Sequence, residues 1–522
     1  MSIINNWYDS IVSKLSKQLW LPSETIEMDK KTINKHIEIQ ESKKFKSKIS
    51  IQNFIPKVKS IETIDQIDKR YKNLINKTKQ TTIDKKKLDI RLKTLETKRL
   101  KEISNHNRVR KCKQIHLKLT HFQKKTIQKW FDECDIVYNN MIDRYYKEDK
   151  EDKEDKEDTE DKEDKVSLDY TKEKLIIFNQ LYGKEKKPIP YDILTDEVRI
   201  AISNIKSCLT NQKNNNINKF KINQRVNDRH YKSILIPKKS INNNGFFPTK
   251  IKNITGFKDN LEKIGGVDKI DGDCRLVYDV WFKAYRLIIP VRDCVKNIKK
   301  RKKIVALDPG EKIFQSYYSE KDCGYVGKNI RIPILHYKAK IEKWTRILRN
   351  NEIRNERSII AKIRLLYRKI RNLVKELHNQ TALHLVKNYE NILIPEFKTQ
   401  KMLMANSKGI KDKNERKSIY RQNRLNKRVK FVLQQLSHYK FRQHLINKCN
   451  EYGCNLFIVT EEYTSQLCSK CGKMSSKYNK RKKECTFCNF KIDRDINGSR
   501  NILLKTIRFW SEKSLQNNQS IK

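Results

Sequence analysis

The sequence predicts an α/β layered domain in its second half, and three observations carry that prediction. Short apolar runs, Lys303–Leu307, Asn391–Pro395 and Asn455–Thr460, alternate with long helical patterns, as strands and helices do when helices cover a sheet. The first two runs end in an acid, Asp308 and Glu396, and sheets of this class place functional groups where their strands end. Within the basic stretch Lys338–Asn388, Ile359, Ile363, Leu366, Ile370, Leu373 and Leu377 recur at helical steps and mark one apolar face.

Taken in order, residues 1–110 are rich in Lys and Ile. They read as a basic, partly disordered extension with helical periodicity around Leu88–Leu100. Residues 111–298 form a second region. Gln114–Thr120 alternates like a strand and leads into a helix whose inward positions are Ile127, Trp130, Phe131, Cys134, Val137 and Met141; an aromatic at that spacing is a core residue. Residues 147–165 hold six lysines against twelve acids and no apolar side chain, which predicts a solvated low-complexity insertion in a surface loop. Helical pattern returns over Asp192–Leu209. Strand pattern follows at Ser233–Pro237 and Tyr278–Val291, the latter broken near Lys283 as a hairpin would be. In the third region, residues 299–508, Leu425–Cys449 reads as one helix and the chain after Asp493 as another, before a tail over 509–522.

Lys and Arg number 116 against 62 Asp and Glu, a net charge of +54. A chain that positive repels itself unless a polyanion shares the structure, which points to nucleic acid. The heavy use of Lys, Asn and Ile also reflects AT-rich coding DNA, so charge alone does not decide the matter. No apolar run reaches membrane-spanning length. The start, Met-Ser-Ile-Ile-Asn-Asn-Trp, lacks the basic and apolar regions of a secretory signal. The expectation is a soluble intracellular protein with no membrane partner.

Of twelve cysteines, four form two Cys-x-x-Cys pairs, Cys468/Cys471 and Cys485/Cys488, thirteen residues apart. Two such turns facing each other make a tetrahedral thiolate site that suits Zn²⁺. Gly472 and Asn489 follow the pairs, and both types tolerate the positive φ that such a knuckle demands. Four thiolates close the coordination shell, so this zinc is read as structural.

Phosphodiester cleavage by metals needs carboxylates converging on divalent ions, and Mg²⁺ is held by a few carboxylates while keeping its waters. Asp308, Glu396 and Asp495 fit that need as an ordered set. Singly, each has a plain reading: Asp-Pro-Gly is a common turn, Glu396 an exposed acid, Asp495 a helix cap.

At these residues the sequence resembles a known family. Ala-Leu-Asp308-Pro-Gly, Ile-Pro-Glu396-Phe, Tyr-Thr-Ser-Gln-Leu-Cys468-Ser-Lys-Cys471-Gly and Lys-Ile-Asp-Arg-Asp495-Ile-Asn-Gly-Ser look like the split RuvC motifs and zinc ribbon of TnpB, the OrfB-type protein of insertion sequences. The Asp-Pro-Gly variant and basic extension look more like Fanzor, its eukaryotic and viral relative. The resemblance runs from Lys113 to Arg508 and is most specific from Tyr463 to Leu503. It implies an RNase H-like (RuvC) nuclease domain over 299–508 with a zinc ribbon at 463–492. It also implies a β-rich wedge domain with a helical recognition insert over 111–298. The activity implied is RNA-guided, Mg²⁺-dependent cleavage of double-stranded DNA directed by a guide RNA, for a transposable element whose proteins are also described as putative transposases. Asp308, Glu396 and Asp495 match the three catalytic acids. Where Asn-Ala-Ala is usual, this chain has Asn497-Gly-Ser, all small residues that leave close helix packing possible.

Phosphate contacts are expected from basic helices, with Arg421, Arg424 and Arg428 sharing a face; the plain alternative is a solvated charged surface. A competing reading is a non-catalytic zinc-containing DNA-binding regulator of transposition. A strand-joining transposase of the paired-histidine kind is disfavoured, because no His-x-His occurs.

Overall fold

The computed structural model describes residues 64–79, 85–104, 108–154, 168–183, 185, 188–226, 229–296, 298, 300–349, 355–397, 399, 425–474, 478–479 and 481–519. The chain divides into two compact units, Met1–Asn107 with Cys294–Lys522, and Arg108–Asp293.

The described part of the amino-terminal extension is a pair of helices, α1 (Ile64–Lys79) and α2 (Lys85–Ser104), the second of which contains the helical pattern at Leu88–Leu100. Residues 1–63 lie outside the described residues. The pairing buries Ile67 and Tyr71. Arg99 pairs with Asp68 at 2.7 Å, and the Tyr71 hydroxyl donates to Glu102 at 2.7 Å. Cross-helix partners of that kind are invisible to a reading based on apolar periodicity alone.

The second unit runs β1 (Arg108–Leu117), α3 (His121–Glu154), α4 (Tyr170–Tyr182), α5 (Tyr191–Lys213), β2 (Tyr231–Ile236), the short β3 (Ile241–Asn242) and β4 (Gly245–Phe246), α6 (Phe257–Glu262), β5 (Cys274–Asp279) and β6 (Ala284–Cys294). Its main sheet has the order β1-β6-β5-β2. The six predicted inward positions of α3 are buried in one core with Ile193, Val198 and Ile202 of α5. Trp130 is 2% exposed, so it is a core residue. Helix α3 continues through Glu154 into the Lys-Glu-Asp run, where a loop was expected. Residues 155–167 are outside the described residues.

The other unit continues with β7 (Lys302–Pro309), β8 (Gln315–Ser319), β9 (Cys323–Val326), α7 (Arg331–Arg349), α8 (Glu356–Asn388), β10 (Tyr389–Pro395), α9 (Lys427–Leu436), α10 (His438–Tyr452), β11 (Asn455–Val459), β12 (Tyr478–Asn479), β13 (Lys482–Glu484), β14 (Lys491–Asp493) and α11 (Arg494–Gln519). Its five-stranded sheet has the order β11-β10-β7-β8-β9. β7, β8 and β9 are antiparallel neighbours, whereas β10 lies parallel to both β7 and β11. Parallel neighbours need a crossover, and helices α7–α8 and α9–α10 supply the two. The single helix expected over Leu425–Cys449 is interrupted at Ser437, which takes φ 48° and ψ 54°.

Alternation sorts the two faces of this sheet. Val305, Leu307, Ile392, Ile394 and Leu456 share a core with Val374, Leu385, Leu436 and Leu445 of α8–α10. Ile304, Ala306, Leu393, Phe457 and Val459 share another with Ile502 and Leu503 of α11. The sheet is thus sandwiched, and among the described residues α11 covers the second face.

Candidate active site

Asp308 continues the series Ile304, Ala306 and so belongs to the face that α11 covers. Helix α11 comes so close that a Cβ on Gly498 would overlap Asp308 Oδ2 and lie 3.2 Å from its Cγ; only glycine leaves that carboxylate where it is. Burial, reinforced by the negative charges of Glu461 and Asp495, pushes the Asp308 carboxyl up to about 7, against the pull of Arg494.

Asp495 sits in the first turn of α11. It does not cap its helix. That work falls to Asp493, whose Oδ1 accepts the Asp495 amide at 2.9 Å, which frees the Asp495 carboxylate. Burial and Asp493 raise its pKa, while Arg481, Arg494 and Lys312 lower it. Arg481 Nη2 stands 2.9 Å from Asp495 Oδ2.

Glu461, which was not among the acids read from the sequence, also acts on Asp308. It lies two residues past Val459 and continues the series Phe457, Val459 on the α11 face. Burial, then the neighbouring Glu462, raises its carboxyl pKa. The signal was present as that alternation, running one step beyond the end of the strand.

Glu396 is placed differently. Leu393 pairs with Ala306, so the same register sets Pro395 beside Asp308 on the α11 face. The chain turns off the sheet at Glu396, which is exposed. Its carbonyl accepts from Arg442, and the next residue, Phe397, takes φ 41° with its ring 4.8 Å from that of His438. The acids whose charges act on Asp308 are Glu461 and Asp495.

Cys468, Cys471, Cys485 and Cys488 offer sulfurs that all lie within 4.8 Å of one another. The Cys468–Cys488 and Cys471–Cys485 sulfurs are 3.7 and 3.5 Å apart. Tetrahedral zinc with bonds of about 2.3 Å spaces its sulfurs about 3.8 Å apart, so the four thiolates fit that ion. The two knuckles match: the Gly472 amide donates to the Cys468 carbonyl at 3.0 Å and the Asn489 amide to that of Cys485 at 2.9 Å, with φ 71° and 53° at Gly472 and Asn489.

Arg428 is exposed in the first turn of α9, and its amide takes the Asn426 Oδ1 cap at 2.9 Å. Arg421 and Arg424 lie outside the described residues. Among the described residues no helix is long and apolar enough to cross a membrane.

Residues 438–502 match the family model for the Cas12f1-like TNB domain. The chain is 26% identical over 405 residues to the TnpB-like protein L770 of Acanthamoeba polyphaga mimivirus, covering 76% of this chain and 73% of that one. Over 77 residues it is 32% identical to the CRISPR-associated endodeoxyribonuclease Cas12f1 of Sulfoacidibacillus thermotolerans, 14% of this chain and 18% of that protein. A solved structure described as the cryo-EM structure of the Cas12f1-sgRNA-target DNA complex aligns at 16% identity and a TM-score of 0.25, over 76% of this chain and 98% of the other. The domain match falls on the segment that carries the cysteine knuckles and Asp495, and the similarity to the viral TnpB-like protein spans most of both chains, so this chain is similar to the TnpB (OrfB) family over most of its length.

Proposed function

We propose that the protein is an RNA-guided, metal-dependent DNA endonuclease of a transposable element. Its site is an RuvC-type cluster of Asp308, Glu461 and Asp495 on an RNase H-like sheet. The observation that carries the reading is the buried Asp308 carboxyl, pushed up to about 7 by burial first and then by the charges of Glu461 and Asp495, with Gly498 of α11 pressed against it. A buried carboxyl with acidic neighbours is the kind of group that divalent cations hold in its charged form. Mg²⁺ ions held there would activate a water and stabilise the leaving oxygen. The chain's own residues do the placing. β7 fixes Asp308, Gly498 lets α11 approach it, and Asp493 turns Asp495 away from the helix end.

In this reading the second acid is Glu461, and Glu396 stands outside the cluster. Zn²⁺ on the four cysteines is structural, and residues 299–508 form the nuclease domain with its ribbon at 463–492. Residues 111–298 form the wedge domain with its helical insert. Guide RNA and double-stranded DNA are the partners, gripped by basic helices such as the one that carries Arg428. The net charge of +54 supports a polyanion partner.

The test is cleavage of a matched duplex by protein purified with its own RNA. Asp308→Ala, Glu461→Ala and Asp495→Ala should each lower cleavage on the order of a thousandfold or more while RNA stays bound, and Glu396→Ala should cleave. Cleavage surviving all three substitutions would overturn the reading. Should the protein never cut under any divalent metal, a non-catalytic zinc-containing regulator of transposition takes its place.

A further inference from the structure

One backbone oxygen in the first unit carries an unusual load. The Leu467 carbonyl accepts from Lys483 Nζ at 2.9 Å, from Asn497 Nδ2 at 2.8 Å and from Asn501 Nδ2 at 2.9 Å. The same three side chains hold the rest of the strap that leads into the first cysteine knuckle. Asn497 Oδ1 accepts the amide of Ser469, inside the Cys468–Cys471 turn, at 3.0 Å. Asn501 Nδ2 also reaches the Thr464 carbonyl at 2.7 Å. Lys483 Nζ reaches the carbonyls of Ser465 and Gln466 at 3.2 and 2.6 Å. Leu467, Ser469, Asn497 and Asn501 are 0% exposed and Lys483 1%, so these bonds are made away from water, where a lost partner is costly.

The position of Asn497 gives the arrangement its meaning. It stands two residues after Asp495 and one before Gly498, the residue pressed against Asp308. Its amide grips the knuckle on both sides, as donor to Leu467 and as acceptor from Ser469. The strap holds Cys468 and the helix start holds Asp495, and Asn497 bonds the one directly to the other.

We infer that Asn497, backed by Asn501 and Lys483, is a positioning residue that makes the zinc knuckle and the acid cluster one mechanical unit, so that loosening either site weakens metal binding at the other. Energetic coupling of this kind is reciprocal. The inference rests on the acid cluster being a divalent-metal site, and the experiment separates the two. Iron(II) with ascorbate and peroxide cuts the backbone beside a site where it replaces Mg²⁺. Scission near Asp308 in the RNA-bound, zinc-loaded protein therefore reports occupancy of the acid cluster, and zinc passing to a chromogenic chelator reports the knuckle.

Asp308→Ala and Asp495→Ala should abolish the local scission; if they do not, the metal-site reading fails whatever Asn497 does. With that control in hand, Asn497→Ala should release zinc faster and raise the half-saturating iron, each by roughly ten- to thirtyfold, as expected for two buried hydrogen bonds lost. Asn497→Asp keeps an acceptor for Ser469 and should fall between. If Asn497→Ala leaves either quantity unchanged, the coupling is overturned. Where that variant does not fold, as read by circular dichroism, wild-type protein before and after zinc removal decides. An iron requirement that zinc removal does not raise overturns the inference equally.

Discussion

Asp308 shows how much a single carboxyl can reveal. Burial, Glu461 and Asp495 together push it up to about 7 in the metal-free protein, whereas a carboxyl in an unfolded chain titrates near 3.9. A folded-state value above the unfolded one means that the native chain holds the proton more tightly. The resulting stabilisation is full below about 4 and is lost as pH rises through about 7. Metal-free protein should therefore melt at lower temperature at pH 8 than at pH 5. Mg²⁺ should raise the melting temperature at pH 8 and scarcely at pH 5, where protons already occupy the cluster. Thermal melts over that range, with and without Mg²⁺, check both signs, and an Mg²⁺ effect as large at pH 5 as at pH 8 contradicts them. Gly498 makes the companion case. Gly498→Val should cost about 1–3 kcal/mol as an overpacked site. It should also displace the Asp308 carboxylate, so cleavage should drop to the level of Asp308→Ala while the fold persists by circular dichroism.

At the scale of elements, register decides which residue stands level with Asp308. The end of β10 was legible in the sequence, and so was the presence of an acid there. A strand's side chains alternate between faces, so a shift of one residue exchanges the buried face for the other. Only the pairing of Leu393 with Ala306 reveals that Pro395, not Glu396, stands level with Asp308. β7, β10 and β11 were readable as short apolar runs. β8 and β9 were not, because Gln315–Ser319 and Cys323–Val326 are largely polar or small residues, and Gln315, Ser316 and Ser319 are buried as the sheet continues. The cysteine knuckles were legible because ligand spacing is local chemistry. Glu461 left only a faint alternation past the end of β11, and its nearness to Asp308 on β7 is a tertiary fact that no local pattern carries. A rescue follows from the register. Pro395→Glu in a Glu461→Ala background sets a carboxylate beside Asp308 on the same face and should restore part of the lost cleavage. Pro395→Ala in that background should restore none. Equal activity of the two double variants would refute the register argument.

Across the whole molecule, charge outweighs every local feature. A chain of 522 residues with a net charge of +54 carries a repulsion that its apolar cores do not relieve, and ion pairs such as Arg99 with Asp68 and Arg331 with Glu311 leave that excess of positive charge in place. Two explanations compete: compositional drift toward Lys codons, or a polyanion bound over much of the surface. They differ in salt dependence. Lysines scattered by drift would contact phosphates loosely and release few counterions. A built interface that neutralises six to ten phosphates loses on the order of a thousandfold or more in affinity between about 50 and 200 mM salt. Binding of the copurified RNA, titrated across that range, should show the steep loss. Removing one contacting arginine, with Arg428→Ala as the first choice, should lower the slope of log affinity against log salt by about one and leave cleavage chemistry at saturating RNA unchanged. A slope near that of a generic basic peptide of equal charge would assign the charge to drift and leave the guide-RNA reading without its physical support.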